Sequence, residues 1–385
     1  MYPNVTARDS EMMPPPSAPP PPYESIDGLD KMAEKSGSKW NPRNGSKLAI
    51  LVAVIAAILV IVAGIVGAVL GTRANEYPDS SALSYTLADT YAGTDFFDDF
   101  DYFTGYDPTA GFVHYVPNTT ATSEQYNLTY ASPDTAILRV DTSETNADTG
   151  RYSVRITSKK QHNSGLFVFD IVNTPYGYAT WPALWLSDPN NWPEHGEIDV
   201  VEAVNQADTG NQATLHTTSG CKMNVKRKQT GDTLYKSCAN TTHDNAGCGV
   251  QGEQDTYGET FDANGGGIYA MEWRTAGIRV WFFPRSDVPS DIPTDVTNTS
   301  APDPSTWGTP LADFPSTNCD ISNHFKNQSI IANIDLCGTW AGSTAVYTDQ
   351  DQCPGLCTDF VATNNTAFET AYWQWNSWRM YTAST

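Results

Sequence analysis

The segment from Leu48 to Leu70 constrains this chain most, because it is an unbroken run of apolar residues without a single charge. As a helix it would span about 34 Å, which is enough to cross a hydrocarbon core of about 30 Å. The sequence therefore predicts a transmembrane signal anchor over residues 48–70, which divides the chain into a short tail and a large second part.

The charges that flank this run predict its orientation. Only Arg73 follows it closely before Glu76 and Asp79, whereas several basic residues precede it, namely Lys31, Lys35, Lys39, Arg43 and Lys47. Because positive charge is retained on the cytoplasmic side, we expect a single-pass type II protein of the plasma membrane or secretory pathway. Its large second part would be extracellular or lumenal. A cleaved signal peptide is the alternative, but the run is too long and starts too late for one.

The tail, residues 1–47, is predicted to be disordered. Its run from Pro14 to Tyr23 cannot form a helix or a sheet and favours polyproline II. The segment Pro20–Tyr23 also fits the Pro-Pro-x-Tyr ligand that WW domains bind in this conformation. A bare solvated tail without a partner is the alternative, since proline-rich tails are common.

The second part carries the whole net charge of −22, because acidic and basic residues balance in the tail. This excess argues against nucleic acid as a partner and suits an enzyme acting on a neutral polymer. All seven cysteines lie beyond residue 220, which predicts an oxidising compartment with disulfides whose pairing stays open. An odd number leaves at least one thiol free or paired between chains. No cysteine and histidine spacing typical of a zinc site is present.

Glycosylation sequons support the same compartment. Six Asn-x-Ser/Thr sequences lie beyond the apolar run, and each is a predicted glycosylation site of a lumenal or extracellular domain. They begin at Asn118, Asn127, Asn240, Asn298, Asn327 and Asn364.

Short strand-like segments separated by turn residues fill the second part, and helical periodicity of useful length is absent. These segments are Ala136–Val140, Ser153–Ser158, Leu166–Asp170, Ile268–Trp273, Ile278–Phe283, Ser329–Leu336 and Ala371–Tyr381. The stretch Asp287–Asn318 is rich in Pro, Asp and Thr and is predicted to be a long surface loop. After a stem of residues 71–84, we therefore expect an all-β, two-sheet antiparallel sandwich over residues 85–385.

The sequence Glu-Ile-Asp-Val-Val-Glu at residues 197–202 places three carboxylates among β-branched residues, which favour a strand. A strand sends successive side chains to opposite faces, so Glu197 and Asp199 share one face. Strict alternation would place Val201 beside them rather than Glu202. One extra residue in a β-bulge near Val200 would correct the phase and return Glu202 to the carboxylate face.

This spacing fits glycoside hydrolysis, which needs one ionised carboxylate beside the anomeric carbon and one protonated carboxyl beside the leaving oxygen. With one bulge, the Cα atoms of Glu197 and Glu202 lie roughly 13 Å apart. Two inward-leaning side chains of about 4 Å each would leave about 5 Å between the carboxyls. That separation is typical of retaining rather than inverting enzymes.

The pattern Glu-x-Asp-x-x-Glu, preceded by Asn-Trp-Pro, resembles the catalytic strand of family-16 glycoside hydrolases, in particular the fungal laminarinase-like branch. The likeness covers about residues 96–381 and includes the stretches Gly165–Phe167, Trp181–Leu186, Gly277–Arg285 and Leu336–Gly342. It implies a concanavalin A-like jelly roll with an open glucan cleft. The activity implied is that of an endo-1,3(4)-β-glucanase. No cofactor is required, although some relatives bind a structural calcium ion, whose ligands the sequence does not locate.

The resemblance also implies roles for single residues. By position in the motif, Glu197 is the nucleophile, Glu202 is the acid/base, and Asp199 tunes the pair. Three further residues match positions in the substrate-binding cleft, namely Trp185, Trp192 and His216. Each also has a structural interpretation, since the tryptophans could belong to the core and His216 could be a satisfied structural histidine.

Four functional interpretations remain open at this level. The first is hydrolysis of β-1,3- or mixed β-1,3/1,4-glucan. The second is transglycosylation of cell-wall glucan, which would use the same residues with a sugar acceptor. The third is a non-catalytic glucan receptor, although a pure binder has no need to crowd three acids. An acidic, solvated strand face without function is the fourth, and it fits poorly with the neighbouring tryptophans and histidines.

Overall fold

The computed structural model describes residues 42–73 and 76–384. In the first range the chain forms one helix, α1 (Pro42–Arg73). Its stretch Lys47–Val69 has a mean hydropathy of 3.3 and is long and apolar enough to cross a membrane, judged by length and composition. The membrane span predicted from the sequence thus lies within one helix.

The helix begins earlier than the apolar run. Residues 42–47 are helical, so the prediction of a disordered tail was wrong for them. Proline is favourable in the first turn of a helix, because the N–H that it lacks would have no helical partner there. The remaining tail, including Pro20–Tyr23, lies outside the described residues.

Residues 76–384 form a separate β-rich unit. In chain order its strands are β1 (Tyr85–Ala92), β2 (Phe100–Tyr102), β3 (Val113–Tyr115), β4 (Thr129–Ala131), β5 (Ala136–Arg139), β6 (Arg151–Ser153), β7 (Arg155–His162), β8 (Gly165–Asn173), β9 (Thr180–Ser187), β10 (Glu197–Glu202), β11 (Gln212–His216), β12 (Asp232–Thr233), β13 (Val250–Gln251), β14 (Gly267–Arg274), β15 (Gly277–Pro284), β16 (Ala312–Pro315), β17 (Gln328–Leu336) and β18 (Tyr372–Ala383). Short helices lie in the connections, namely α2 (Asn118–Ala121), α3 (Gly258–Ala263), α4 (Ile321–His324) and α5 (Cys357–Thr363).

Two large antiparallel sheets contain most of these strands. The first sheet has the order β16-β15-β14-β8-β18-β5-β4, with β1 paired to β18, and the second has the order β12-β13-β11-β10-β9-β17-β7-β2. The strands β3 and β6 form a small parallel pair. Because β10 lies near the middle of the second sheet, its side chains are surrounded by neighbouring strands on both sides.

The main core lies between the two sheets. It combines apolar side chains of the first sheet, such as Phe169 and Trp378, with Leu184 and Ile198 of the second. The alternation along each strand directs these residues inward, and the burial of their apolar surface, including large aromatic rings, stabilises the fold. The antiparallel sandwich predicted from the sequence is therefore confirmed.

The predicted loop Asp287–Asn318 is only partly a loop, and the expectation that it lies free on the surface was wrong. It contributes Ile292 and Trp307, which are buried against the outer face of the first sheet. Its end forms β16, which pairs with β15 at the sheet edge. The high content of proline and polar residues hid these contacts, because the anchoring residues are far apart in sequence.

Three disulfides stabilise the connections of the sandwich, namely Cys221–Cys319, Cys238–Cys248 and Cys337–Cys357. The remaining thiol, Cys353, is unpaired and buried. The sequence predicted disulfides and one odd cysteine but left the pairing open.

The predicted stem contacts the β-sandwich from Glu76 onward. The Tyr77 hydroxyl donates to Asp313 at 3.1 Å, and the Lys228 ammonium lies 4.0 Å from the Tyr77 ring centre. Arg274 also donates to the carbonyl oxygen of Ser81 at 2.8 Å. These residues therefore belong to the folded unit rather than to an extended spacer.

Candidate active site

The candidate site is built on β10 and its two neighbours. Strand β10 pairs with β9 on one side and with β11 on the other, both antiparallel. Its apolar residues Ile198, Val200 and Val201 are fully buried, so they anchor the strand in the protein interior. The acidic residues are thereby held on a rigid sheet rather than on a loop.

The β-bulge predicted from the carboxylate spacing is present. Asp199 pairs with Trp185, but the next pair joins Val201 to Leu184, so one extra residue is inserted between them. After this shift, Glu202 pairs with Ala183 and returns to the face that carries Asp199. The bulge thus corrects the alternation of the strand as the sequence required.

Small and aromatic side chains of β9 flank the acids. Ser187 pairs with Glu197 and Ala183 pairs with Glu202, so short side chains stand beside both glutamates. Trp185 stands beside Asp199 between them, with its indole N–H donating to Asn333 at 2.8 Å. Small residues of β9 thus neighbour both glutamates, and an indole neighbours Asp199.

His216 approaches the acids from β11. It pairs with Glu197 across the sheet, and its Nε2 atom lies 3.3 Å from Asp199 Oδ2. The other ring nitrogen lies 3.2 Å from the Asn245 side-chain oxygen. Both ring nitrogens thus face oxygen atoms, which favours the doubly protonated imidazolium.

Two further tryptophans contact the glutamates. The indole N–H of Trp181 donates to Glu202 Oε1 at 2.7 Å. Trp192 is 39% exposed, and its side chain interacts with Glu197. An exposed indole beside a reactive carboxylate is well suited to stack against a sugar ring.

Burial and a neighbouring negative charge favour the protonated form of Glu202. Its pKa is raised well above the ordinary glutamate value, first by burial and then by the negative charge of Asp199. The Trp181 hydrogen bond and the His216 charge oppose this rise without cancelling it. The surroundings of Glu202 therefore favour the protonated form that a general acid needs.

The pKa of Glu197 is raised less than that of Glu202. Burial and the Asp199 charge raise its pKa to about 7, while His216, Arg155 and Trp192 act in the opposite direction. More groups therefore favour the ionised form of Glu197 than that of Glu202. Environments that separate the pKa values of two acids are typical of an acid and nucleophile pair.

His216 is the cation that balances the cluster. Burial by itself lowers its pKa, but the hydrogen bond and charge of Asp199, followed by the charge of Glu197, raise it to about 10. His216 is thus an imidazolium at neutral pH. Its charge offsets that of Asp199 and lowers the pKa of Glu197.

Comparison with protein families identifies this arrangement. A model described as "XgeA-like, catalytic GH16 domain" matches residues 100–381, which include all of the acids above. The chain belongs to glycoside hydrolase family 16. The resemblance inferred from the sequence motif is therefore confirmed, and the β-sandwich is a glycoside hydrolase catalytic domain.

Curated family-16 relatives are fungal. A probable glycosidase of Schizosaccharomyces pombe is 44% identical over 313 residues, which cover 80% of this chain and 71% of the relative. A probable endo-1,3(4)-β-glucanase of Aspergillus clavatus is 38% identical over 306 residues, which cover 77% of this chain. The match spans only 46% of that Aspergillus protein, so the relative has a large part that this comparison does not reach.

Solved family-16 structures share the jelly-roll fold. The structure of laminarinase 16A from Phanerochaete chrysosporium, with two β-glucans in donor and acceptor sites, is 43% identical with a TM-score of 0.73. It covers 77% of this chain and 99% of its own. An elongating GH family 16 β-1,3-glucosyltransferase is 39% identical with a TM-score of 0.71, covering 78% of this chain and 100% of its own.

The structure brings together the residues predicted for the family-16 site. Glu197, Asp199 and Glu202 share one face, with Trp185 beside Asp199 and His216 across from Glu197. The side chain of Trp192 joins this group by interacting with the Glu197 carboxyl group. The catalytic and substrate-binding roles of these residues remain proposals, which are developed below.

Sequence reasoning missed several contributors to the site, among them Trp181 and Arg155. Trp181 was part of the family resemblance but was not assigned to the site, although it donates to Glu202. Arg155 on β7 packs over the Trp185 ring at 4.9 Å, and its charge lowers the pKa of Glu197. No motif marks an arginine more than forty positions upstream, so only the sheet order reveals it.

The predicted structural calcium has no assigned ligands. Among the described residues, one group brings metal-ligating atoms within 4.8 Å of one another, namely Glu197, Asp199 and His216. Calcium prefers six to eight oxygen ligands. This group supplies two carboxylates and a nitrogen donor, which does not fit calcium, so the ion stays a prediction.

The six predicted glycosylation sites lie in the family-16 domain and stay predictions. Asn240 and Asn327 are half-buried, whereas four asparagines are exposed, namely Asn118, Asn127, Asn298 and Asn364. We expect the exposed four to be the more accessible to a glycosylating enzyme.

Replacing His216 with asparagine is expected to shift the pH profile of kcat/KM to higher pH by about one unit. The imidazolium lowers the pKa of both Glu197 and Glu202, so its loss raises both values. The acid limb, where Glu197 becomes protonated, then moves upward. Initial rates on laminarin across pH measure the shift.

A matched control is His114→Asn. His114 lies outside the acidic cluster, with Thr149 as its hydrogen-bond partner at 3.2 Å, and its replacement is expected to leave both limbs in place. An acid limb that moves to lower pH in the His216 variant would contradict this account of the cluster.

Proposed function

We propose that this chain is a retaining endo-β-glucanase that hydrolyses β-1,3- or mixed β-1,3/1,4-glucans. The observation that carries the proposal is the bulged strand β10, which presents Glu197, Asp199 and Glu202 on one face with separated pKa values. The names of the fungal relatives support the choice of glucan. The domain has a net negative charge and exposed tryptophan near the acids, which suits a neutral polysaccharide.

In the proposed first step, ionised Glu197 attacks the anomeric carbon and forms a glycosyl ester. The bond from that carbon to the leaving oxygen breaks, and Glu202 transfers its proton to this oxygen. Glu197 loses its charge when the ester forms, so the Glu202 carboxyl can then remain ionised. The leaving sugar departs as a neutral alcohol.

In the proposed second step, Glu202 accepts a proton from water, and the water oxygen bonds to the anomeric carbon. The ester bond breaks, and Glu197 is released as a carboxylate. Two displacements restore the β configuration. Throughout both steps, Asp199 and His216 would hold the two glutamates at different proton affinities.

Transglycosylation is the second candidate function. The solved structure described as an elongating GH family 16 β-1,3-glucosyltransferase is almost as similar to this chain as the laminarinase. A sugar hydroxyl would replace water in the second step, with the same residues and the same proton transfer. The residues on β10 are compatible with both outcomes.

Product analysis tests these proposals. Purified protein is incubated with laminarin, lichenan and cellulose, and products are sized by chromatography while NMR follows the first anomer. Shorter chains with the β-anomer first support retaining hydrolysis, whereas chains longer than the substrate support transglycosylation. An α-anomer appearing first would contradict the retaining mechanism, and no reaction on any glucan would contradict catalysis.

We propose that α1 anchors the enzyme in a membrane with the catalytic domain outside the cytoplasm. The apolar stretch Lys47–Val69, the basic residues before it and the sequons after it support this orientation. Protease added to sealed microsomal vesicles is expected to remove an N-terminal epitope tag and spare the catalytic domain. Glycans on Asn4 or Asn44, which also begin sequons, would reverse the assignment.

We propose a WW-domain protein as the partner of the tail. Pro20–Tyr23 supplies the Pro-Pro-x-Tyr pattern and a conformation that WW grooves accept. In a peptide titration, Tyr23→Ala is expected to weaken binding by about tenfold or more, the scale of losing an aromatic anchor. Ser17→Ala in the same peptide serves as the control. Equal affinity of the Tyr23 variant and the parent peptide would contradict the proposal.

A further inference from the structure

The bulge in β10 interrupts the regular pairing just before Glu202, and it sets the face of the sheet to which the Glu202 side chain points. On the β9 side the register shifts between Asp199 and Val201, so Val200 is the extra residue. On the β11 side, pairing ends at Asp199. The backbone of Val200 and Glu202 thus lies beyond the β10–β11 ladder, where a bulge ordinarily leaves polar groups unpaired.

The side chain of Asn211 pairs with this part of the backbone. Its Oδ1 atom accepts from the Glu202 N–H at 2.8 Å, and its Nδ2 atom donates to the Val200 carbonyl at 3.0 Å. The Glu202 N–H can only donate and the Val200 carbonyl can only accept. Both contacts together therefore require a side chain with one acceptor and one donor, which an amide supplies.

Asn211 is itself fixed in place. It is fully buried, and its backbone N–H donates to the Thr256 hydroxyl at 2.9 Å. Its carbonyl accepts from the Gly252 N–H at 2.8 Å and from Gln251 Nε2 at 3.0 Å. Because a buried amide without partners is unfavourable, these contacts hold the side chain in one orientation.

We propose that Asn211 is the positioning residue that maintains the β10 bulge and thereby aims Glu202 at the substrate. This inference rests on the acid/base role proposed for Glu202. Two hydrogen bonds then position Glu202. Its backbone N–H donates to Asn211, and its carboxyl group accepts from Trp181. Without the amide, the strand can relax toward regular alternation, which turns Glu202 away and places Val201 on the catalytic face.

The test compares two substrates in Asn211→Ala. One is a laminarin oligosaccharide, whose leaving sugar needs a proton, and the other is a dinitrophenyl β-laminaribioside, whose leaving group does not. We expect kcat/KM to fall about 10–100-fold on the oligosaccharide, within the range of lost acid catalysis, and much less on the aryl glycoside. Added azide is expected to yield a β-glycosyl azide, because a misplaced Glu202 no longer activates water.

Asn205→Ala is the matched control. Asn205 is also buried, accepts from the Ala179 N–H at 2.8 Å and donates to Asp351 at 2.7 Å, but its side chain makes neither of the two bulge contacts. General loosening of the fold is expected to affect both substrates equally in this variant. Thermal unfolding of both variants shows whether they are equally folded.

The experiment distinguishes failure of the positioning role of Asn211 from failure of the acid/base role proposed for Glu202. Equal losses on both substrates in folded Asn211→Ala, without azide product, would overturn the positioning role. If Glu202→Ala itself shows no dependence on the leaving group, the proposed function of Glu202 fails instead.

Asn211→Asp covers the case in which the alanine variant does not fold. When ionised, this aspartate keeps the acceptor for the Glu202 N–H but has no donor for the Val200 carbonyl, so the same substrate dependence is expected at a pH above its pKa. Its added negative charge favours protonated Glu202, so a loss of acid catalysis would reflect position rather than charge. If this variant also fails to fold while Asn205→Ala folds, Asn211 maintains the fold only and the proposal is overturned.

Discussion

Glu197→Ala is expected to lower kcat on laminarin by about 10⁴-fold or more, the scale of removing one member of a catalytic constellation. Glu197 is the carboxyl that His216, Arg155 and Trp192 help to ionise, so its pKa of about 7 allows attack at neutral pH. No neighbouring carboxylate can replace it, because Asp199 is committed to His216 and has a shorter side chain.

The anomer that forms when azide restores activity to Glu197→Ala identifies the missing group. Azide can enter the space left by Glu197, attack the anomeric carbon from that side and form an α-glycosyl azide on an activated substrate. Glu194→Ala is the matched control, since Glu194 is exposed three positions upstream, and its activity is expected to stay near that of the parent. More than about one hundredth of the parent kcat in Glu197→Ala would rule out its role as nucleophile.

Glu202→Ala is expected to lower kcat/KM on laminarin by about 10²–10⁴-fold, the range of general acid–base catalysis. Burial and the Asp199 charge raise the pKa of Glu202 and favour its protonated form, which can deliver a proton to a poor leaving group. A dinitrophenyl glycoside does not need this proton, and its first step is expected to remain fast. The basic limb of the pH profile should disappear, because that limb reports the loss of the Glu202 proton.

Azide again separates the roles of the two glutamates. In Glu202→Ala the glycosyl-Glu197 ester still forms, and azide attacks it from the opposite side to give a β-glycosyl azide. The opposite anomers expected from the two variants make the assignment independent of the size of the rate losses. An α-azide from the Glu202 variant would exchange the two roles.

The strands could be anticipated wherever local pattern and tertiary contact agree. The hairpin of β14 and β15 follows from two apolar segments around Gly277, whose φ of 153° suits glycine. Strand β16 could not be anticipated, because its sequence resembles a loop and its pairing with β15 is nonlocal. Edge strands that depend on one partner leave little signal in their own residues.

Strand β10 shows which features of the site can be predicted from sequence. Three acids at unequal spacing already required a bulge, because alternation along a strand is a local property of the backbone. The partner that pairs with the bulge could not be anticipated. Asn211 lies after a turn and is an ordinary polar residue until the fold brings its amide to Val200 and Glu202.

The sequence by itself determined the long apolar helical segment, the β-rich catalytic domain, the order of the acids and their family, because each depends on residues close together along the chain. Only the tertiary structure decided the proton affinities of the acids and the disulfide pairing. Burial, the Asp199–His216 contact and the approach of Arg155 arise from strands that are distant in sequence. Electrostatic energies depend on separation in space and on exclusion of water, and neither quantity is encoded locally.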